Sequence, residues 1–381
     1  MKELLKNVTA VLPGGEKKCD ICIENGVIFE IAENIAVDKA ECIRECNGAI
    51  LMPGFIDTHN HGGLSRAFLE MDANLDEIVT AYAKRGTTAI APTFSCRPFD
   101  VFAPAVRKTA EFAKTNKKGA KIPGIHSEGP FLNPVRAGGM YPEFMVKPTL
   151  EWFEKIYDAC CGLLKIITLA PEIPGAFDVI EAAIKKGVSV SAGHTNATFD
   201  EMKAAIEQGV SRVTHTFNAT RPFGHREPGV LGAALSDDRV NCEVICDFAH
   251  LHPETVKLIL TQKGSKGVTV VSDYSDQGGR AAMGEGEHER DGKKYVIRNG
   301  VAWTFDGSVI SNSNDMYVSA KNLYSIGVSL SDIAVMTSEN PAKVLKIFDK
   351  TGSIEVGKAA DLVLLDSEFN LISTFIDGIV Y

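Results

Sequence analysis

Two histidines stand one residue apart, His59 and His61, in GFIDTHNHGG (residues 54–63), directly behind an apolar run and Asp57. In a strand, residues two apart point the same way, so both imidazoles can face one axis while Asn60 turns away. Further along, His126 and Glu128 occur in HSEGPF, His194 in SAGHT, His215 in THTFNA, Asp247 and His250 in CDFAH, and Asp273 in VSD. Imidazole nitrogen combined with carboxylate oxygen suits zinc, iron or manganese. His59, His61, His194, His215, Glu128 and Asp273 are enough ligands for one or two such divalent ions. A lone histidine near a strand end is more often a satisfied structural residue, which is the expectation for His126, His225, His252 and His288. Asp57 is expected to be structural or to support a ligand.

These residues can meet only if the elements that carry them converge. Eight β-branched or apolar runs recur, at 49–57, 87–94, 121–129, 164–172, 188–195, 211–219, 241–250 and 267–275, separated by segments of helical spacing such as FDVIEAAIKKG and FDEMKAAIEQG. Apolar strands alternating with helices imply a parallel sheet covered on both faces. Eight units in succession predict a (β/α)8 barrel, with an open doubly wound sheet as the alternative. In a barrel the chemistry gathers at the C-terminal strand ends, where the histidines and carboxylates lie. Residues 53–345 are expected to form this barrel. Residues 1–52 and 346–381, which read as short strands and turns, are expected to form a small β-sandwich domain built from both chain ends. The glycine-rich, charged stretch 275–310 reads as a long excursion after the eighth strand, with a hairpin-like KKYVIRNGVAWTF.

Composition narrows the function classes. The chain has 381 residues, 45% hydrophobic and 23% charged, with a formal charge of −9. That is ample material for a large core, and it offers no long-range attraction to nucleic acid or an anionic membrane. No signal-peptide core and no bilayer-length apolar segment is read, so a cytoplasmic location is expected. Nine cysteines, an odd number scattered along the chain, are expected to be reduced thiols. The pairs Cys19/Cys22 and Cys42/Cys46 could suggest zinc, but residues three apart in a strand diverge, so packing thiols are expected.

PGFIDTHNHG, HSEGPFLNP, SAGHT, THTFNA, HREPGVLGAAL, ICDFAHLHP and VSD, in this order, resemble the amidohydrolase superfamily and, within it, the N-acetylglucosamine-6-phosphate deacetylases. The resemblance spans essentially the whole chain. It implies that Glu128, His194 and His215 hold the main metal, with His59 and His61 holding a second ion that some members lack, and that Asp273 is the catalytic aspartate. It further implies that Asn218, Ala219 and His250 contact substrate and that Arg226 reaches a phosphate from a neighbouring subunit of a homodimer. For Arg226 read alone, a surface salt bridge with Glu227 or another carboxylate is an equal alternative.

The chemistry of the residues agrees with that reading. Metal ions can activate water against an amide, and an adjacent aspartate can take the water's proton and return it to the leaving amine. The expected reaction is hydrolysis of the N-acetyl amide of an amino-sugar phosphate, N-acetylglucosamine-6-phosphate or a close isomer. The alternatives are another amide, such as an N-acyl amino acid or a cyclic amide, and a non-catalytic metal-binding sugar-phosphate sensor.

Three departures bear on the substrate. The Lys-Gly-Ala-His segment expected after EGPFLNP reads VRAGGMYPEF, leaving Tyr141 as the candidate replacement for the histidine. The Asp-Gly before the strand-seven histidine reads DFAH, with Phe248 adding bulk. The segment expected to present a leucine to the acetyl group reads SNSNDMY, with Asn314 at about that place. In addition, DYSDQGG follows the eighth strand where an alanine is expected after the aspartate.

Overall fold

The computed structural model describes residues 2–275, 284–290, 293–298, 301–305, 307, 309–312 and 314–381. The N-terminal segment makes β1 (Lys2–Leu12), β2 (Gly15–Glu24), β3 (Val27–Ala32), β4 (Cys42–Glu45) and β5 (Ile50–Pro53). One edge of β1 pairs with β2; its other edge pairs first with β4 and then with β5, the bulge between Leu5 and Val8 separating the two stretches.

The barrel begins immediately afterwards. Its strands are β6 (Phe55–Asn60), β7 (Thr87–Ser95), β8 (Ile125–Glu128), β9 (Leu164–Leu169), β10 (Ser189–Ala192), β11 (Arg212–Val213), β12 (Asn241–Ile245) and β13 (Val268–Val271). They lie side by side in chain order, all parallel. Helices fill the crossovers, and each buries an apolar stripe. In α4 (Ala176–Lys185) the stripe is Val179, Ile180 and Ala183, and the helix gives way at Gly187, whose φ of 75° suits a residue without a side chain.

After β13, the described residues include a four-stranded antiparallel sheet of β14 (Gly286–Arg290), β15 (Lys293–Arg298), β16 (Val301–Trp303) and β17 (Val309–Asn312). The hairpin-like sequence supplies β15 and β16; the intervening residues of the glycine-rich stretch lie outside the described set. The chain ends with β18 (Leu362–Leu365), β19 (Leu371–Ile376) and β20 (Ile379–Val380), which join the first sheet in the order β20-β19-β18-β5-β1-β2-β3. Both chain ends thus build a single branched sheet domain beside the barrel.

Two boundaries differ from the sequence reading. The run 49–57 is not one strand: β5 belongs to the sheet domain and β6 to the barrel, with Gly54 at the crossing. A Cβ at Gly54 would sit 2.2 Å from Thr88 Cγ2, so only glycine lets the chain pass there. The run 211–219 keeps only the two residues of β11 as strand, because the backbone turns at His215, Phe217 and Ala219, with φ of 28°, 78° and 48°. As for the paired cysteines, Cys19 packs in the core of the sheet domain and Cys22 against Leu4 and Ile35, on separate clusters, and none of the nine cysteines is in a disulfide.

The seam between β13 and β6 is closed near the mouth by Asp273 N donating to His59 O (2.9 Å) and His61 N donating to Tyr274 O (2.7 Å). The fully buried Asp57 completes it, accepting from Ser272 Oγ (2.5 Å), Ser272 N (3.2 Å) and His59 N (3.3 Å). Replacing Asp57 by alanine orphans three buried donors, two of them across the seam. We expect Asp57→Ala to cost roughly 2–4 kcal/mol in denaturant unfolding of the metal-free protein. A loss below about 1 kcal/mol would show that the seam does not depend on this carboxylate.

Candidate active site

The barrel brings six of the residues singled out in the sequence to one mouth. Glu128, at the end of β8 and 1% exposed, is the hub. Its Oε1 lies 3.1 Å from His194 Nε2, 3.2 Å from His215 Nε2 and 3.3 Å from His59 Nε2, while Oε2 lies 3.2 Å from His61 Nε2. Asp273 Oδ1 stands 3.2 Å from His61 Nε2 and 3.5 Å from His59 Nε2.

The groups fall into two triads sharing Glu128: Glu128 with His194 and His215, and Glu128 with His59 and His61. Ligands bonded tetrahedrally at the usual zinc distances stand about 3.3 Å from one another, close to the 3.1–3.2 Å separations among Glu128, His194 and His215 and to the 3.2–3.3 Å distances from Glu128 to His61 and His59.

Tautomers agree with metal binding. Nδ1 of His194 faces Arg136 O (3.0 Å), Nδ1 of His215 faces Asn218 O (3.2 Å), and Nδ1 of His59 faces Glu243 Oε2 (3.1 Å). A proton on each Nδ1 leaves the Nε2 lone pairs turned toward Glu128. His194 and His215 then bring two such nitrogens within 3.1 Å of each other, an arrangement that a shared cation relieves. Glu128 Oε2 and His59 Nε2 are buried without any hydrogen-bond partner. Orphaned acceptors of this kind suit an ion. The donor set fits one or two divalent cations.

The electrostatics of the bare cluster point the same way. Burial disfavours a charge on His61, yet Asp273 and Glu128 outweigh it and raise its pKa to about 9. Burial would lift Asp273, but His59 and His61 bring it down to about 2, so it is ionised across the neutral range. His126 behaves differently. It is fully buried, its Nε2 meets Thr168 Oγ1 (2.8 Å) and its Nδ1 meets Thr58 O (3.1 Å); desolvation, aided by the neighbouring His59, pushes its pKa down to about 3. It is a neutral strut beneath the cluster, with both nitrogens committed.

The remaining candidates line the rim or lie beyond it. Asn218 Nδ2 is buried with no partner, and Ala219 takes a left-handed backbone beside it. His250 is held by Asp247 Oδ2 (2.8 Å), while Asp247 Oδ1 accepts from the backbone N of Ala249 and His250. Arg226 is exposed, and Glu227 does not pair with it: that carboxylate accepts from Phe199 N and Gly229 N instead. Tyr141 is exposed and lies under the Arg97 guanidinium at 4.5 Å. Phe248 takes a left-handed backbone with φ of 61°. Asn314 donates its backbone N to Asn312 Oδ1 (2.8 Å), and Asn312 itself is the closer neighbour of the site, giving Nδ2 to Asp273 O (3.0 Å) and Ser272 O (3.2 Å). His252 caps α7 (Pro253–Lys263), and His288 packs on Tyr295.

Three supporting residues were not singled out in the sequence: Asn312, Glu243 and Arg212. The signal for the last two was a charged residue inside an otherwise apolar barrel strand, NCEVIC and SRVTH.

A model of the amidohydrolase family matches residues 50–380. The chain belongs to the amidohydrolase family. Among its relatives in this family, an N-acetylglucosamine-6-phosphate deacetylase of Bacillus subtilis (strain 168) is 35% identical over 87% of this chain and 84% of its own length. An N-acetylgalactosamine-6-phosphate deacetylase of Escherichia coli O157:H7 is 28% identical over 93% of both chains. The crystal structure of N-acetylglucosamine-6-phosphate deacetylase from Pasteurella multocida superposes with a TM-score of 0.89 at 27% identity, covering both chains completely. A mutant of the Mycobacterium smegmatis deacetylase in complex with N-acetyl-D-glucosamine-6-phosphate superposes with a TM-score of 0.88 at 26% identity, over 100% of this chain and 98% of that one. Amidohydrolases are metal-dependent hydrolases, in keeping with the shared-carboxylate cluster. No helix among the described residues is long and apolar enough to cross a membrane.

The raised pKa values of His59 and His61 set a sign for metal uptake. Ligands that hold protons in the bare cluster must release them to bind a cation. We expect the apparent zinc affinity of the metal-stripped protein to rise between pH 7 and about 9, with proton release visible as a buffer-dependent enthalpy in calorimetric titrations. A pH-independent affinity would contradict the protonated cluster.

Proposed function

We propose that the chain hydrolyses the N-acetyl amide of an amino-sugar 6-phosphate, N-acetylglucosamine-6-phosphate or a close isomer, to acetate and the amino-sugar phosphate. The observation that carries the proposal is the pair of triads sharing Glu128 with an ionised Asp273 at the same mouth, in a chain similar over its whole length to deacetylases of this substrate class.

In this reading Glu128, His194 and His215 hold the principal divalent ion, and His59, His61 and Glu128 hold a second, with Asp273 within reach. Zinc, iron and manganese all suit the donor set. When bound, the cation supplies Lewis acidity toward the amide carbonyl and lowers the pKa of water at the site.

The chain's own residues do the rest. Asp273, ionised and 3.2 Å from His61 Nε2, accepts the proton of the attacking water and returns it to the departing amine, which leaves as a neutral or protonated group rather than as an amide anion. Asn218 offers an unpaired amide donor and Ala219 a backbone held in a tight turn, suited to the sugar phosphate. His250, fixed by Asp247, offers Nε2 to a substrate oxygen. Arg226 is an exposed guanidinium that can supply a bidentate phosphate contact across the interface of a homodimer. Tyr141, Phe248 and Asn314 lie where the departures fall, and in this reading they shape the sugar and acyl pocket. A soluble cytoplasmic enzyme with reduced thiols completes the proposal.

The test is a free-amine assay on zinc-, iron- and manganese-loaded protein against N-acetylglucosamine, N-acetylgalactosamine and N-acetylmannosamine with and without 6-phosphate, together with N-acetyl amino acids. Turnover is expected only with a 6-phosphate sugar. Asp273→Asn is expected to lower kcat by at least about 100-fold. Arg226→Ala is expected to raise KM for the phosphorylated sugar, with activity partly restored in mixed dimers with Asp273→Asn, because each variant lends the other an intact half. Turnover confined to acyl amino acids would replace this reading with the alternative amidohydrolase.

A further inference from the structure

Behind His59 lies a buried ion pair with no role in the reaction as described. Glu243, at the middle of β12, is fully buried; its Oε2 lies 3.1 Å from His59 Nδ1, and its Oε1 accepts from Arg212 Nη2 at 2.8 Å. Arg212, on β11, is 1% exposed, and its Nε and Nη1 have no hydrogen-bond partner. A single hydrogen bond between two desolvated charges is a poor return on burying them, and apolar residues in their place would cost less. Such a pair is retained when one partner serves something else.

What Glu243 serves is visible in how the imidazoles are oriented. His194 and His215 lean on carbonyl oxygens, those of Arg136 and Asn218, whereas His59 leans on a carboxylate. A carboxylate behind Nδ1 draws its proton more strongly than a carbonyl and makes Nε2 a stronger donor to metal. His126 stands edge-on to His59, with ring centroids 4.7 Å apart, and blocks rotation on that side. The groups facing His59 are therefore Glu128 and Asp273 in front, Glu243 behind, and His61, His126 and His215 at its flanks. Glu243 also accepts from the His215 backbone N, but only at 3.4 Å, and the His215 ring is set by Asn218 instead.

We propose that Glu243, charge-balanced by Arg212, is a positioning residue that brings the His59–His61–Glu128 triad to full affinity as a second metal site. The inference rests on the metal-hydrolase reading above and concerns the ligand strength of His59, not the identity of the substrate. Arg212 holds the other oxygen of Glu243, its Nη2 donating to Oε1 at 2.8 Å, and so fixes the carboxylate in the orientation that presents Oε2 to His59 Nδ1.

The test counts metal. Metal-stripped full-length protein is titrated with zinc alone by calorimetry, and bound zinc is measured by elemental analysis after dialysis. For the unsubstituted protein, two equivalents are expected. In Glu243→Gln, one equivalent is expected to weaken by about 10–100-fold while the other keeps its affinity. Adding His61→Ala to Glu243→Gln should deplete no further equivalent, since both act on one site.

Because Glu243→Gln leaves Arg212 buried with weakened compensation, the double variant Glu243→Leu/Arg212→Leu removes both charges and preserves folding. The same selective loss of one equivalent is expected there. Recovery of two full-affinity equivalents in the double variant, equal weakening of both sites in Glu243→Gln, or a single equivalent in the unsubstituted protein would each overturn the proposal. The substrate assignment fails separately: a protein that turns over no amino-sugar phosphate yet shows the selective zinc loss refutes that assignment and leaves the role of Glu243 standing.

Discussion

Everything at the barrel mouth is arranged around one carboxylate. Glu128 is almost fully buried with four imidazole Nε2 atoms within 3.3 Å, and hydrogen bonds alone cannot satisfy that crowd. If the imidazoles are neutral with Nδ1 protonated, four lone pairs converge on an anion. If they are all protonated, like charges crowd a dry pocket. Either state costs several kcal/mol of uncompensated burial, and a divalent cation on each side of the carboxylate removes the conflict. The neutral tautomers fixed by Arg136 O, Asn218 O and Glu243 are the ones such cations require.

The fold accepts local strain to hold this arrangement. His194, His215 and Asp273 all have positive φ, at 46°, 28° and 48°, and so do Phe217, Ala219 and Phe248 nearby. None is glycine, and each carries a backbone cost that persists only because surrounding contacts over-determine it. Those contacts lie directly below. His126, Thr168, Thr214 and Ser191 form a chain of buried hydrogen bonds of 2.6–2.8 Å across the barrel interior. A barrel floor made polar in this way is rigid only while every member is paired, which explains why His126 is kept neutral and fully committed. The same reasoning applies at the seam, where Asp57 ties Ser272 to His59 and so fixes the spacing between the two residues that face each other across the second triad, His61 and Asp273.

The legibility of this protein in its sequence followed the reach of each interaction. The barrel was legible because period and length are local properties: eight apolar runs with helical segments between them leave few architectures. The convergence at the mouth was legible because a histidine or carboxylate at a strand end in each of several units has one place to meet. The split at Gly54 was not, since β5 and β6 are equally apolar and what divides them is the close approach of Thr88 from another strand. Glu243 was missed for a related reason. Its meaning depends on which strand lies beside β12 and which residues face inward at the same height, and both are set by register across the barrel. Asn312, which gives its Nδ2 to the backbone oxygens of Ser272 and Asp273, was missed for the same reason: its partners lie at the end of another strand.

The division between strand ends and loops also separates the buried cluster from its rim. His59, His61, Glu128, His194 and His215 rest on strands or their immediate ends; His59 is backed by Glu243 inside the barrel, and His194 and His215 by the backbone carbonyls of Arg136 and Asn218. Tyr141, Phe248, Arg226 and Asn314 sit on loops that contribute little to that support. A change in the first set disturbs a carboxylate with no alternative partner, whereas a change in the second leaves that carboxylate untouched. Tyr141 illustrates the point: exposed and stacked under Arg97, it can give up its guanidinium contact at small cost, because a cation–π pair at an exposed site is worth only about 0.5–1 kcal/mol. The rim therefore has latitude to change while the buried cluster beneath it stays as it is.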